Sequence, residues 1–127
     1  MLSHIMVGSD DSAASRKFYD AVLGVLGIAP AVEDTKGRLI YAQDEFLFMV
    51  SKPINGLPAT HANGGTIGIA VSSPELVDAW HATGVGHGGT SIESPPGIRE
   101  NATLKLYLAY LRDPAGNKLC ATHRMSK

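Results

Sequence analysis

The order of apolar runs and turn residues in this chain occurs twice, and that duplication restricts the possible folds more than any single motif does. Residues 2–7, LSHIMV, alternate as a short strand, with Leu2, His4 and Met6 on one face and Ile5 and Val7 on the other. Ser9, Asp10, Asp11 and Ser12 then offer helix caps, and Ala14, Phe18, Ala21, Val22 and Val25 follow at helical spacing. Gly24 and Gly27 close that helix, and residues 28–33, 38–43 and 46–51 supply three short strands separated by turn residues.

The second half repeats the order. TIGIAV, residues 66–71, reads as a strand; Ser72 or Ser73 caps, Pro74 occupies a first helical turn and Glu75 completes a capping box. Leu76, Val77 and Trp80 form the inward stripe of a helix ending at Gly84. Strands at 90–93, 104–111 and 118–123 follow, the last two joined by Asp113-Pro114-Ala115-Gly116-Asn117, a turn sequence with preset proline φ and a glycine free to take positive φ. Units 1–51 and 66–127 are thus each β-α-β-β-β, joined by the linker 52–65, and His4 of the first falls opposite Ile67 of the second. Halves of about 50 to 60 residues are too small to bury a core alone. The expected fold is therefore one α+β domain over residues 1–127, two βαβββ units forming a curved mixed sheet around a cleft, and the cleft is the expected place of function.

Composition narrows the partners. Eleven basic against twelve acidic residues, with no long run of either sign, give a net charge of −1 and no electrostatic footprint for nucleic acid. No apolar stretch approaches a bilayer span, and the first residues lack the basic start and apolar core of a signal peptide, so no membrane partner and a cytoplasmic location are expected. A single cysteine, Cys120, forms no intramolecular disulfide and fits a reducing compartment.

The duplicated unit, with SRKFYDAVLGVLG at 15–27, PPGIR at 95–99 and YLRDPAGNKLCA at 110–121, resembles the vicinal oxygen chelate superfamily, which includes glyoxalase I, bleomycin-resistance proteins, fosfomycin-resistance enzymes and extradiol dioxygenases. The resemblance spans nearly the whole chain. It implies metal-ligand positions on the first and last strands of each unit, carried over here to His4, Phe48, Ile67 and Cys120, of which only His4 is a typical ligand. A catalytic divalent site needs about three protein ligands and an open position, and isoleucine and phenylalanine have no lone pair to offer. The metal positions thus read as degenerate, with no cofactor expected and a divalent metal as the alternative.

Other residues carry narrower expectations. His4 is a candidate catalytic acid/base or a satisfied strand histidine, and Cys120, on a strand face with Lys118 and Thr122, is either a nucleophile brought near His4 or an inert buried thiol. Arg99, in the PPGIR loop, suits a carboxylate or phosphate, or pairs with Glu93 or Glu100. Tyr107 and Tyr110 lie on opposite faces of one strand, and the resemblance implies that Tyr107 faces the cleft beside Phe48 and Ile67 as a substrate-binding residue. His61 belongs to the linker, His81 and His87 to the surface, and His123 points away from Cys120. GVGHGG and HANGG lack the lysine and hydroxyl residue of a phosphate loop and read as turns.

The favoured function is a metal-independent small-molecule binder, a homodimer as is common in the superfamily. The alternative is a lyase, isomerase or dioxygenase with a rearranged metal site or acid/base chemistry through His4.

Overall fold

The computed structural model of the chain describes residues 1–126. The first unit contains β1 (His4–Gly8), α1 (Ser12–Val25), β2 (Val32–Glu33), β3 (Leu39–Gln43) and β4 (Phe46–Ser51). The second contains β5 (Ile67–Ala70), α2 (Pro74–Gly86), β6 (Thr90–Glu100), β7 (Lys105–Arg112) and β8 (Lys118–Met125). Each unit forms a four-stranded mixed sheet, in the orders β1-β4-β3-β2 and β5-β8-β7-β6. β1 runs parallel to β4 and β5 parallel to β8, and the remaining pairs are antiparallel. The α+β fold of two βαβββ units is that expected from the duplication. No helix among the described residues is long and apolar enough to cross a membrane.

Local sequence explains the helices. Asp11 caps α1 by accepting from the Ala14 amide at 3.0 Å, and Ser73 caps α2 by accepting from Leu76 at 3.2 Å, with Pro74 in the first turn. α1 buries Phe18, Tyr19, Val22 and Leu23 against the face of the first sheet that carries Val7, Leu39, Tyr41, Phe48 and Val50. α2 buries Val77 and Trp80 toward Ala109, Leu111, Leu119 and Ala121 of the second. The helices also pack on each other, so both units share one core and each sheet keeps a second face with no helix on it. The closest approach is at Gly84, where an added Cβ would lie 2.3 Å from Leu111 Cδ1, 3.2 Å from Val22 and 3.3 Å from Phe18. α2 runs past the expected stop at Gly84 to Gly86 and is closed by the His87 amide, which donates to the Gly84 carbonyl.

The duplicated order of elements is fastened by two of the sequence motifs meeting in space. Tyr19, from the FYDAVLG stretch, donates its hydroxyl to Asp113 Oδ2 at 2.5 Å, and Asn117 Nδ2 donates to the same oxygen at 2.9 Å and to the Gly8 carbonyl at 3.0 Å. Asp113 Oδ1 accepts from the amides of Ala115 and Asn117, at 2.9 and 2.8 Å. The DPAGN turn is thereby both a β7–β8 hairpin and a latch between units, its buried carboxylate satisfied by four donors.

Two expected strands differ. The run 28–33 is a strand only at Val32–Glu33, because Ile28 packs into the core instead and Asp20 holds the Ala31 amide at 3.1 Å. β6, expected to stop at residue 93, runs to Glu100 through a register shift between Ile92 and Gly97, with Glu93 at φ 58°.

Candidate functional site

Side-chain direction on the inner strands decides which residues can act together. Ile5, Val7, Phe48 and Val50 face the helices, so the alternate residues His4, Met6, Leu47 and Met49 occupy the helix-free face of the first sheet. In the second, Leu119 and Ala121 are in the core and Cys120 and Thr122 are on the helix-free face, where Cys120 lies opposite Gly68 and Tyr110.

Three of the expected placements change on this account. Phe48 is 8% exposed and sits under α1, its ring 4.9 Å from that of Tyr19, rather than at a ligand position. Ile67 pairs with Leu119 and packs against the core, pointing away from the face that carries Cys120. Counting back equally from the caps Asp11 and Ser73 matches His4 with Thr66 and Ile5 with Ile67, so Thr66 is the second-unit counterpart of His4. Met6 then matches Gly68, and their strand partners Met49 and Cys120 match each other. Tyr107 also faces its helix: its hydroxyl donates to Asp78 of α2 at 2.8 Å, a bond that holds its pKa above the ordinary tyrosine value. Tyr110 occupies the helix-free face beside Cys120, with Lys118 Nζ 4.8 Å from its ring centre; burial and then the Cys120 charge raise its pKa.

The remaining candidates are each held locally. His4 is exposed, its Nδ1 2.8 Å from Ser3 Oγ. Cys120 is 4% exposed and its Sγ lies 3.1 Å from Thr122 Oγ1, so the expected approach of thiol to imidazole gives way to two separate hydrogen bonds on two sheets. Arg99 is on β6 opposite Leu106 rather than in a loop, and its guanidinium folds back to the carbonyls of Ile98 and Pro95 at 3.3 and 3.1 Å. Glu93, one of its expected partners, pairs with Lys118. His61 packs over Gly116, His123 Nδ1 reaches the Val71 carbonyl at 3.0 Å, and His87 caps α2 with Nδ1 2.7 Å from the Thr83 carbonyl. His81 lies 2.9 Å from Ser91 Oγ, its pKa lowered by burial against the opposing pull of Asp78.

Phe48 and Ile67 do meet, on the helix side. With Ile5, Leu23, Tyr41 and Ile69 they line a cavity of ≈ 270 Å³ between the units, whose wall is mostly hydrocarbon. The helix-free face of the second sheet has an open groove of ≈ 590 Å³ over Gly68, Ala70, Leu106 and Thr122. Separate hollows lie at the carboxyl ends of β1 and β4.

The fold is shared, over 98% of the chain, by the crystal structure of a glyoxalase/bleomycin resistance protein from Albidiferax ferrireducens T118, at 56% identity, 99% coverage of that chain and a TM-score of 0.93. The chain belongs to the glyoxalase/bleomycin resistance protein family. That places it in the vicinal oxygen chelate superfamily, as the motifs implied. Two more distant structures show the same fold: a glyoxalase-related enzyme from Fulvimarina pelagi (18% identity, 97% of this chain and 87% of that one, TM-score 0.72) and a glyoxalase/bleomycin resistance protein/dioxygenase family enzyme from Burkholderia phytofirmans PsJN (17% identity, 97% and 98%, TM-score 0.74). No protein-family model and no curated protein matches the chain.

The family's divalent metal finds a poor donor set here. The equivalent outward positions hold His4, Met49, Thr66 and Cys120: one imidazole, one thioether, one hydroxyl and one buried thiol. Among the described residues no group of three or more His, Cys, Asp and Glu side chains is disposed to hold a metal ion. One typical ligand is short of the three that a catalytic site requires. Thr66 was legible only through cap spacing, which fixes the strand register that hydrophobic alternation leaves open by one residue, whereas Met49 follows from the pairing of β4 on β1.

Proposed function

We propose that this family member is a metal-independent binder of small apolar or aromatic molecules, held between the units and released unchanged. The observation that carries the reading is the inter-unit cavity, where Phe48, Tyr41, Ile5 and Ile67 supply an aromatic and aliphatic wall. A volume of ≈ 270 Å³ exceeds the benzene-sized void that an apolar cavity can leave dry and fits a one- or two-ring ligand. The donor set at the metal positions supports the same reading, since thioether and hydroxyl are weak ligands for the hard or borderline divalent ions.

A homodimer in the reducing cytoplasm completes the proposal. Its support is the exposed apolar surface on or beside the sheets, Met6 at 45% and Val32 at 69%, together with the free thiol of Cys120. Light scattering of the purified chain gives the mass.

The test of the binding reading is a titration with indole, followed by amide NMR, beside metal analysis of protein purified without chelators. Indole is expected to shift Ile5, Phe48 and Ile67, and Ile67→Phe, which fills the cavity, to weaken it at least tenfold. Stoichiometric zinc, nickel, iron or manganese that His4→Ala removes overturns the reading.

A further inference from the structure

Two hollows at the carboxyl ends of β1 and β4, of ≈ 570 and ≈ 320 Å³, adjoin through Lys36, Ser51 and Lys52, which line both. None of their residues lines the inter-unit cavity. Lys36 comes from the turn between β2 and β3, and Lys52 directly follows β4, so two separate segments each place a lysine on the rim of the same hollow.

The neighbouring carboxylates are already engaged. Asp34 accepts from Arg38 Nε at 2.6 Å and from the amides of Lys36 and Arg38, and these bonds hold its pKa down; Glu33 accepts from Arg16 at 3.4 Å. Among the described residues neither the Lys36 nor the Lys52 ammonium has an ion-pair partner. Ser51 adds no donor, because its hydroxyl is turned to the Lys52 carbonyl at 2.9 Å. Two unneutralised cations on one hollow raise its potential, and an anion placed between them interacts with both.

The wall beyond the lysines is apolar and open. Met6 is 45% exposed, Ile54 lies fully exposed in the linker, and Pro53 stiffens the chain between Ile54 and Lys52. A polar anion alone leaves this surface wet, and a neutral apolar molecule leaves the lysines unpaired.

We propose that this hollow binds a small amphiphilic anion, its carboxylate or phosphate between Lys36 and Lys52 and its hydrocarbon over Met6, Pro53 and Ile54. The site shares no lining residue with the metal positions or with the inter-unit cavity, and it adjoins the former, since Met6 pairs with Met49 across β1 and β4. Lysine, a point charge on a flexible stem, accepts either head group.

Octanoate, octyl phosphate and 1-octanol share one tail and differ in the head, so amide NMR titrations with the three, at low salt, isolate the charge. Each ammonium at an exposed site contributes about threefold to fivefold in affinity, so the two anions should bind about tenfold to twenty-fivefold more tightly than 1-octanol. The shifts should centre on Gly37, Ser51 and Lys52. The double variant Lys36→Gln/Lys52→Gln should bind all three at the 1-octanol level, and 0.5 M sodium chloride should reduce the anion advantage in the native chain. Both substitutions are on the surface, and an unchanged Tm confirms that the variant is folded. Equal affinity for 1-octanol, undiminished anion binding by the double variant, or shifts centred on the second sheet would each overturn the proposal. Failure of indole to bind between the units leaves these outcomes untouched, since the two sites share no residue.

Discussion

Removing the Tyr19 hydroxyl tests whether the two motifs that meet at Asp113 hold the units together. Tyr19→Phe keeps the ring, which packs 4.9 Å from Phe48 and edge-on to Phe18 at 4.9 Å, and deletes only the 2.5 Å bond to Asp113 Oδ2. A buried hydrogen bond to a charged group contributes about 1.5–3 kcal/mol net. Asp113 keeps its other three donors in the variant, which limits the penalty for the carboxylate left behind and sets the expected loss near 2 kcal/mol. An unfolding entropy of about 2.1 cal/mol/K per residue, over this chain, converts that loss to a fall in Tm of about 7 °C. Urea unfolding should give the same loss in midpoint with an unchanged slope. Burial, then the Asp113 charge, raises the Tyr19 pKa well above the ordinary 10.0. Stability from a raised pKa is present in full below the unfolded value and fades as pH climbs through it, so the gap between native chain and variant should be constant to about pH 9 and shrink beyond pH 10. A Tyr19→Phe variant within about 0.5 kcal/mol of the native chain at pH 7 would refute the latch, because surface-sized changes are of that magnitude.

Two further outcomes follow from packing. Gly84→Ala should destabilise by about 1–3 kcal/mol, since its Cβ meets the core atoms of Leu111, Val22 and Phe18, whereas Gly86→Ala, with nothing within 4 Å, should be neutral or stabilise by up to about 1 kcal/mol; calorimetry of the pair separates crowding from helix propensity. Cys120, 4% exposed, should resist a thiol-disulfide reagent in the native chain and react in urea, and fast native labelling would contradict its burial.

The duplication was legible because it is written in local chemistry. Caps at Asp11 and Ser73, helical spacing after each, and a proline–glycine turn before β8 require only their neighbours to be understood. What fixes a metal position is finer: which residue of a strand looks outward. In TIGIAV both Thr66 and Ile67 are admissible from alternation, and the choice reverses every side chain. The outward position belongs to Thr66, one residue before Ile67, and Phe48 and Tyr107, carried over by resemblance, likewise turn to the helix side, leaving Met49 and Tyr110 on the helix-free face. Cap spacing, confirmed by the register of Ile67 on Leu119, resolves the choice in TIGIAV.

By itself the sequence determined two βαβββ units and the buried stripes of their helices, since each is a matter of residue type and spacing. Only the tertiary structure decided that Tyr19 and Asn117 converge on Asp113, that Phe48 and Ile67 share a cavity on the helix side, and that Lys36 and Lys52 face one hollow. Those are contacts between segments far apart in the chain, set by how two sheets close on a common pair of helices, and no local pattern encodes them.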